Sequence, residues 1–371
     1  MPVIYYATEI HLDFGILSTL GMQCRTRKLK RPLLVTDSTI AANGMMARAI
    51  AALGDIDHAV FAEAHPNPME AAVSVGVDVY TKSGCDSLIA LGGGSVIDTA
   101  KAIGLITSNG GKVEDYGGPG KRDVCLPLPT IIAIPTIAGS GSEVSRGLGV
   151  GVGQSGAKVN VLHPLLFPTL ALCDPDLTAS VPAHHIAVSS FDALSHCIEG
   201  YLSPRVNPPI AAVCLDGLSR IWRNIETAVT QPADSNARWE MMMGSIEGGM
   251  ALPKGLGAAH SLAIPLDQLH LQHGAIIAAL LPKVIRWYGS SLDHKRAALL
   301  NAIGLPADSD LADAIESVAA RIGLATSLRA LGVPREIFPE IASSALVSPY
   351  HEILIRPAGK QDYIEILESA F

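Results

Sequence analysis

The chain has 371 residues, 49% hydrophobic, 17% charged and only 5% aromatic, with a formal net charge of −8. That length favours two domains over one. The composition excludes disorder and calls for a large core built mainly of Ala, Leu, Ile and Val. The acidic balance, with no basic run interleaved with aromatics, argues against a nucleic-acid partner, although a backbone nest can still hold phosphate inside an acidic protein. Pro, Gly and charged residues interrupt every long apolar run, so no membrane span is expected. The start MPVIYYATEIHLDFG has no basic head followed by an apolar core, so no signal peptide is expected either. Six cysteines (Cys24, Cys85, Cys125, Cys173, Cys197 and Cys214) form no CxxC pair. They read as reduced thiols, and a cytoplasmic location is expected.

Taken in chain order, the first half alternates short β-branched runs with helical patterns. Arg31–Asp37 reads as a strand, Ile40–Leu53 as a helix, Asp57–Ala64 as a strand, and Asn67–Gly84 as a helix. Asp86–Leu91, Ser95–Asn109 and Thr130–Thr136 continue the rhythm as strand, helix and strand. Such alternation implies a parallel sheet with helices on its faces. From Arg146 to Asp174 a Gly-Gln-Ser-Gly turn separates two possible strands, which points to an antiparallel excursion. Beyond Asp174 the strand signal fades. Helical patterns follow at Pro182–Leu202, Pro209–Val229, Ala237–Ala251, Ala258–Leu262, Gly274–Tyr288, Leu311–Ile322, Ala325–Leu331 and Gln361–Ser369. The boundary is placed near residue 178, giving an α/β domain over 1–178 and an all-helical domain over 179–371.

Three features of the first domain suit a dinucleotide. LIALGGGSVIDTAKAIG runs from strand through Gly92, Gly93, Gly94 and Ser95 into a helix. Consecutive glycines let the backbone approach an anion, and the helix start offers free N–H groups and its positive dipole end. The usual GxGxxG fingerprint is absent, and a tight turn with no ligand is an equal reading of this loop alone. AIPTIAGSGSEVS also follows a strand and interleaves Thr136, Ser140 and Ser142 with Gly139 and Gly141. Asp37 closes the first strand, where a carboxylate can bind the ribose hydroxyls of NAD and repel the 2′-phosphate of NADP, or can simply open the turn TDST.

In the second domain, FDALSHCIEG places Asp192 and His196 one turn apart on one helical face. The pair alone reads as well as a hydrogen bond on a helix surface. However, His260, His270 and His273 fall within 14 residues of an apolar stretch, where uncompensated imidazoles are costly. One Asp and three His would complete a first shell for Fe²⁺ or Zn²⁺. Cys197 points about 100° away from His196 and reads as core. The Ser140–Ser142 loop has no GxSxG elbow, which argues against acyl-enzyme chemistry.

Together, PNP at Pro66–Pro68, CDSLIALGGGSVIDTAKAI, IPTIAGSGSEVS, LCDPDLTASVP, DALSHCIEGYLS and GAAH…QHG…LLP resemble the iron-containing (group III) alcohol dehydrogenases over almost the whole chain. The resemblance implies a Rossmann-like dinucleotide-binding α/β domain followed by an all-α metal and substrate domain, the dehydroquinate synthase-like architecture, with the active site in the cleft between them. It implies Asp192, His196, His260 and His273 as metal ligands. Asp37, Gly93, Gly94, Ser95, Asp98, Thr136, Ser140, Ser142 and Lys158 become the implied cofactor contacts. The implied activity is NAD(H)-dependent hydride transfer between a small alcohol or hydroxy acid and its aldehyde or ketone, with Fe²⁺ or Zn²⁺ as Lewis acid and a homodimer as the assembly. The sequence departs from the family where Ile264 replaces a histidine found in many members one turn after the third ligand. His270, or the surroundings of Gln268 and Gln272, is the expected substitute for that polar work. The competing readings are a maleylacetate reductase-like enzyme, a dehydroquinate-type relative and a non-catalytic nucleotide-binding module.

Overall fold

The structure, a computed structural model, describes residues 8–65, 68–118, 120–153 and 157–371. Pro66 and Asn67 of the PNP motif and residues 154–156 of the Gly-Gln-Ser-Gly turn lie outside the described residues. The chain forms two compact units. One runs up to Ile137 and resumes over Ser142–Ala179; the other comprises Ser180–Phe371 together with Ala138–Gly141.

The α/β unit contains β1 (Glu9–Leu12), α1 (Leu20–Thr26), β2 (Pro32–Val35), α2 (Ser38–Ala42), α3 (Met45–Leu53), β3 (Ala59–Phe61), α4 (Glu70–Lys82), β4 (Ser87–Gly92), α5 (Gly94–Asn109), β5 (Thr130–Pro135), β6 (Gly147–Val152), β7 (Ala157–Leu162) and β8 (Leu170–Cys173). Six strands form a parallel sheet in the order β1-β8-β5-β4-β2-β3. Every residue of β2 and β4 is buried, as expected of strands covered on both faces. The pleat sorts them. Leu33, Val35, Leu88 and Ala90 pack with Val73, Ile97 and Ile103 of α4 and α5. Leu34, Ile89 and Leu91 pack with Leu20, Met46 and Leu53 of α1 and α3 on the other face. The expected excursion is β6 and β7, paired antiparallel from Gly147↔Leu162 to Val152↔Ala157.

The helical unit holds α6 (Ala183–Leu202), α7 (Pro208–Thr230), α8 (Ser235–Ala251), α9 (Ala258–Leu266), α10 (His273–Tyr288), α11 (Asp293–Ala302), α12 (Leu311–Arg321), α13 (Phe338–Ala345) and α14 (Lys360–Ser369). The expected fold class is therefore observed, with local corrections. The helix expected over Ile40–Leu53 is two helices. Gly44 adopts φ +90°, and the Asn43 side chain accepts the Met45 N–H to restart the chain. The helix expected over Ala325–Leu331 is a set of turns. There the Ser327 hydroxyl accepts from Ala330 N, and Leu328 N donates to Ala370 O at 2.7 Å. The four-residue strands β1 and β8 and the helices α1, α11 and α13 were not expected.

Candidate metal centre and cofactor loops

In the helical unit, α6 is almost wholly buried yet carries Asp192 and His196 on one face. The N-terminus of α10 can approach α6 because residue 274 is glycine. A Cβ there would lie 2.0 Å from Val188 O, one turn before Asp192. That contact seats His273, the first residue of α10, beside Asp192. Gly257 does the same for α9, since a Cβ would meet Glu199 Oε1 at 2.6 Å.

The result is a convergence on one atom. Asp192 Oδ1 is 3.5 Å from His196 Nε2, 3.6 Å from His260 Nε2 and 3.9 Å from His273 Nε2. These separations exceed hydrogen-bond length. Ligand atoms of Asp192, His260 and His273 all lie within 4.8 Å of one another. The far side of two rings is anchored. His260 Nδ1 donates to Glu199 Oε2 at 2.5 Å, and His273 Nδ1 donates to Asp267 Oδ1 at 2.9 Å. Glu199 is itself held by Ala259 N. These anchors turn both Nε2 lone pairs toward Asp192, the arrangement that carboxylate-backed metal ligands adopt. Asp192 Oδ1 and His260 Nε2 are buried without a hydrogen-bond partner, although buried polar atoms are normally satisfied. One carboxylate oxygen and imidazole nitrogens aimed at a common point fit a divalent iron or zinc ion.

Without a cation between them, these groups act strongly on one another. Burial alone would raise the Asp192 carboxyl, but His196, His260 and His273 outweigh it and hold the group well below the carboxylate range. Burial pushes His196 down to about 4. Burial also works against a charged His260, but the nearby Asp192 carboxylate and the bonded Glu199 prevail and raise it to about 9.

His270 is not among the residues that converge on Asp192. It is exposed, adopts φ +56° and follows the turn Asp267–Leu269. Ile264 is half-buried in α9, one turn after His260. Gln272 Oε1 accepts from His184 Nε2 at 2.6 Å, tying the starts of α6 and α10. Sequence reasoning missed Glu199 and Asp267 as supports, although Glu199, seven residues after Asp192, shares its helical face.

In the α/β unit, Asp37, Gly93 and Thr136 follow β2, β4 and β5, three neighbouring strands, at their carboxyl ends. β2 and β4 flank the point where strand order reverses, the usual place for a nucleotide in such sheets. Gly93, Gly94 and Ser95 are half-buried at the start of α5, whose first amides have no preceding carbonyl to meet. Asp37 caps α2, its Oδ1 accepting from Ile40 N at 2.9 Å. Thr136 is buried, and its N–H bonds Gly92 O. Asp98 and Ser142 are turned inward: Ser142 Oγ donates to Asp98 at 2.5 Å, and Asp98 also accepts from Gly149 N. Lys158 is exposed on β7, opposite Gly151. Ser140 belongs to the segment that packs with the helical unit, where a Cβ on Gly139 would strike Ser189.

Comparison with known proteins matches this arrangement. The model of iron-containing alcohol dehydrogenases covers residues 7–175, and that of the Fe-containing alcohol dehydrogenase family, C-terminal, covers 186–371. The chain is 40% identical over 385 residues to a 4-hydroxybutyrate dehydrogenase of Cupriavidus necator, with all of both chains covered. It resembles the crystal structure of a 1,3-propanediol oxidoreductase with a TM-score of 0.95 at 29% identity, again over all of both chains. A sulfoacetaldehyde reductase from Bifidobacterium kashiwanohense in complex with NAD⁺ gives 0.90 at 26% identity, over 100% of this chain and 99% of that one. The chain belongs to the iron-containing alcohol dehydrogenase family. It is an oxidoreductase acting on CH–OH donors.

Proposed function

We propose that this enzyme interconverts a small ω-hydroxy acid of the 4-hydroxybutyrate kind and its semialdehyde, with NAD(H) as the hydride carrier and Fe²⁺ at Asp192, His196, His260 and His273. The observation that carries the reading is the convergence of three imidazole Nε2 atoms on Asp192 Oδ1, in a chain that matches a 4-hydroxybutyrate dehydrogenase from end to end. Asp37, Gly93, Gly94, Ser95, Asp98, Thr136, Ser140, Ser142 and Lys158 are the proposed cofactor contacts, and residues 1–178 and 179–371 the proposed cofactor and metal–substrate domains. All six cysteines are free thiols, which supports the proposed cytoplasmic setting; a homodimer is the proposed assembly.

A divalent cation supplies Lewis-acid polarisation of the reacting oxygen, and the nicotinamide accepts or returns hydride. Oxidation of an alcohol would also release one proton from its oxygen, which the chain has to pass to solvent. Glu199 and Asp267 fix the His260 and His273 rings so that neither has to reorient during turnover. Ile264 carries no proton, so the proposed route to solvent runs by His270. An unaltered pH–rate profile in His270→Ala would remove His270 from that route.

The test is metal analysis of purified enzyme, combined with NADH absorbance during oxidation of 4-hydroxybutyrate and a series of neutral alcohols. Asp192→Ala should lose both bound metal and turnover. Full metal content in that variant, or a wild type inert toward every alcohol and hydroxy acid, would overturn the proposal. Reduction of maleylacetate without hydroxy-acid oxidation would move the chain to the rival reading.

A further inference from the structure

A hydroxy acid poses a problem that the metal cluster does not solve. Asp192 and Glu199 are already carboxylates at the heart of the helical unit. A third carboxylate, arriving on the substrate, needs a cation to offset their charge and its own desolvation. Two nearby lysines are committed elsewhere. Lys254 Nζ donates to the carbonyls of Gly200, Tyr201 and Ser203, and Lys295 Nζ to those of Tyr201, Leu202 and Ser203. Both therefore cap the carbonyl end of α6.

Arg205 differs from them. It lies just beyond α6, in the connection to α7, and is exposed. Among the described residues it makes no ion pair or hydrogen bond through its side chain. Its place is nonetheless defined. Gly255, at φ +92°, lets two side chains share one spot: a Cβ there would lie 3.6 Å from Arg205 Nη1 and 2.1 Å from Ile353 Cδ1. Ile353 ends the short turn that begins beside Tyr350. The Tyr350 ring stands edge-on to the His260 ring, with centroids 6.2 Å apart. One turn of chain thus links the guanidinium to the metal cluster. A tyrosine phenol keeps its proton through the neutral range, so the Tyr350 hydroxyl is a hydrogen-bond donor there.

We propose that Arg205 and the Tyr350 hydroxyl form the subsite that binds the carboxylate tail of the substrate, placing its far end over Gly255 while its hydroxyl end faces His260. A guanidinium offers paired N–H donors matched to a carboxylate, and a neutral phenol adds one more. This inference rests on the hydroxy-acid reading above, and it makes Arg205 the residue that separates acids from neutral alcohols.

The experiment compares kcat/KM for 4-hydroxybutyrate with that for 1,4-butanediol, which keeps the carbon chain and lacks the charge. Wild type, Arg205→Ala, Arg205→Lys and Tyr350→Phe are measured as full-length metal-loaded enzyme. Arg205 is exposed and unpaired, so its loss leaves the core intact. The acid-to-diol ratio should fall about 10- to 100-fold in Arg205→Ala, the usual worth of hydrogen bonds to a charged group, and chiefly through KM for the acid. Arg205→Lys should recover part of the ratio, and Tyr350→Phe should lower it less than Arg205→Ala does. An Arg205→Ala ratio equal to the wild-type ratio overturns the subsite. A wild type that oxidises the diol and ignores the acid fails one step earlier, by overturning the hydroxy-acid reading itself.

Discussion

Each unit buries a polar cluster, and the two clusters are built on opposite plans. In the α/β unit, Lys101 is wholly buried, and its Nζ donates to the carbonyls of Ser142, Ser145 and Gly147 at 2.6, 3.0 and 2.8 Å. Asp98 beside it is bonded to Ser142 Oγ and Gly149 N. Both of these charges are answered from within the chain. In the helical unit, Asp192 Oδ1 and His260 Nε2 are also buried atoms, and neither has a hydrogen-bond partner. Burying an unpaired polar atom costs free energy, and a ligand held between these two atoms would make good the loss. The first cluster holds the chain together; the second is kept for something the chain binds.

The contrast predicts different failures. Lys101→Met should cost the most stability. It leaves three carbonyls unpaired at about 1–3 kcal/mol each, partly offset because a charge is no longer buried. A large drop in the urea midpoint is expected, with metal content per folded molecule retained. A variant as stable as wild type would break the comparison. Glu199→Gln should do the reverse. The helix stays packed, but His260 loses its charged anchor, and metal affinity should weaken by roughly 10- to 100-fold. Competition against a chelator measures it, and unchanged affinity would show that Glu199 supports packing alone.

Both clusters were only partly legible in the sequence. Asp192 and His196 stood out because four-residue spacing on an apolar helix is a local signal. Glu199 lies in the same stretch but is an ordinary helix residue until His260, 61 positions later, is seen to reach it. Tyr350 reaches the His260 ring, and Arg205 approaches Gly255 beside Ile353, contacts that no spacing encodes. The central strands were readable because burial on both faces leaves a continuous apolar run. The edge strand β1, with Glu9 and His11 in four residues, carries no such run. Lys101 resembled any helix lysine, since the carbonyls that hold it come from a connection about 40 residues downstream.

A third cluster lies between these extremes and yields the smallest expected effect. On α7 and α8, Arg220 bonds Asp216 at 2.8 Å and Glu240 at 2.7 Å, and its Nε is 3.4 Å from Glu247 Oε2. One guanidinium thus faces three carboxyls, and the chain satisfies them by keeping a proton on one. Burial, then the hydrogen bond and charge of Asp216, push Glu247 up to about 8. Because the folded value lies above the unfolded one, the stability it contributes is complete below the usual glutamate value of 4.5 and is lost as pH rises through about 8. Glu247→Gln supplies an amide that donates to Asp216 at every pH. Between those limits the wild-type Tm should fall by a few degrees more than that of the variant. Parallel Tm profiles would mean that Glu247 is ionised in the folded chain, and the cluster would then belong with the fully answered charges around Lys101.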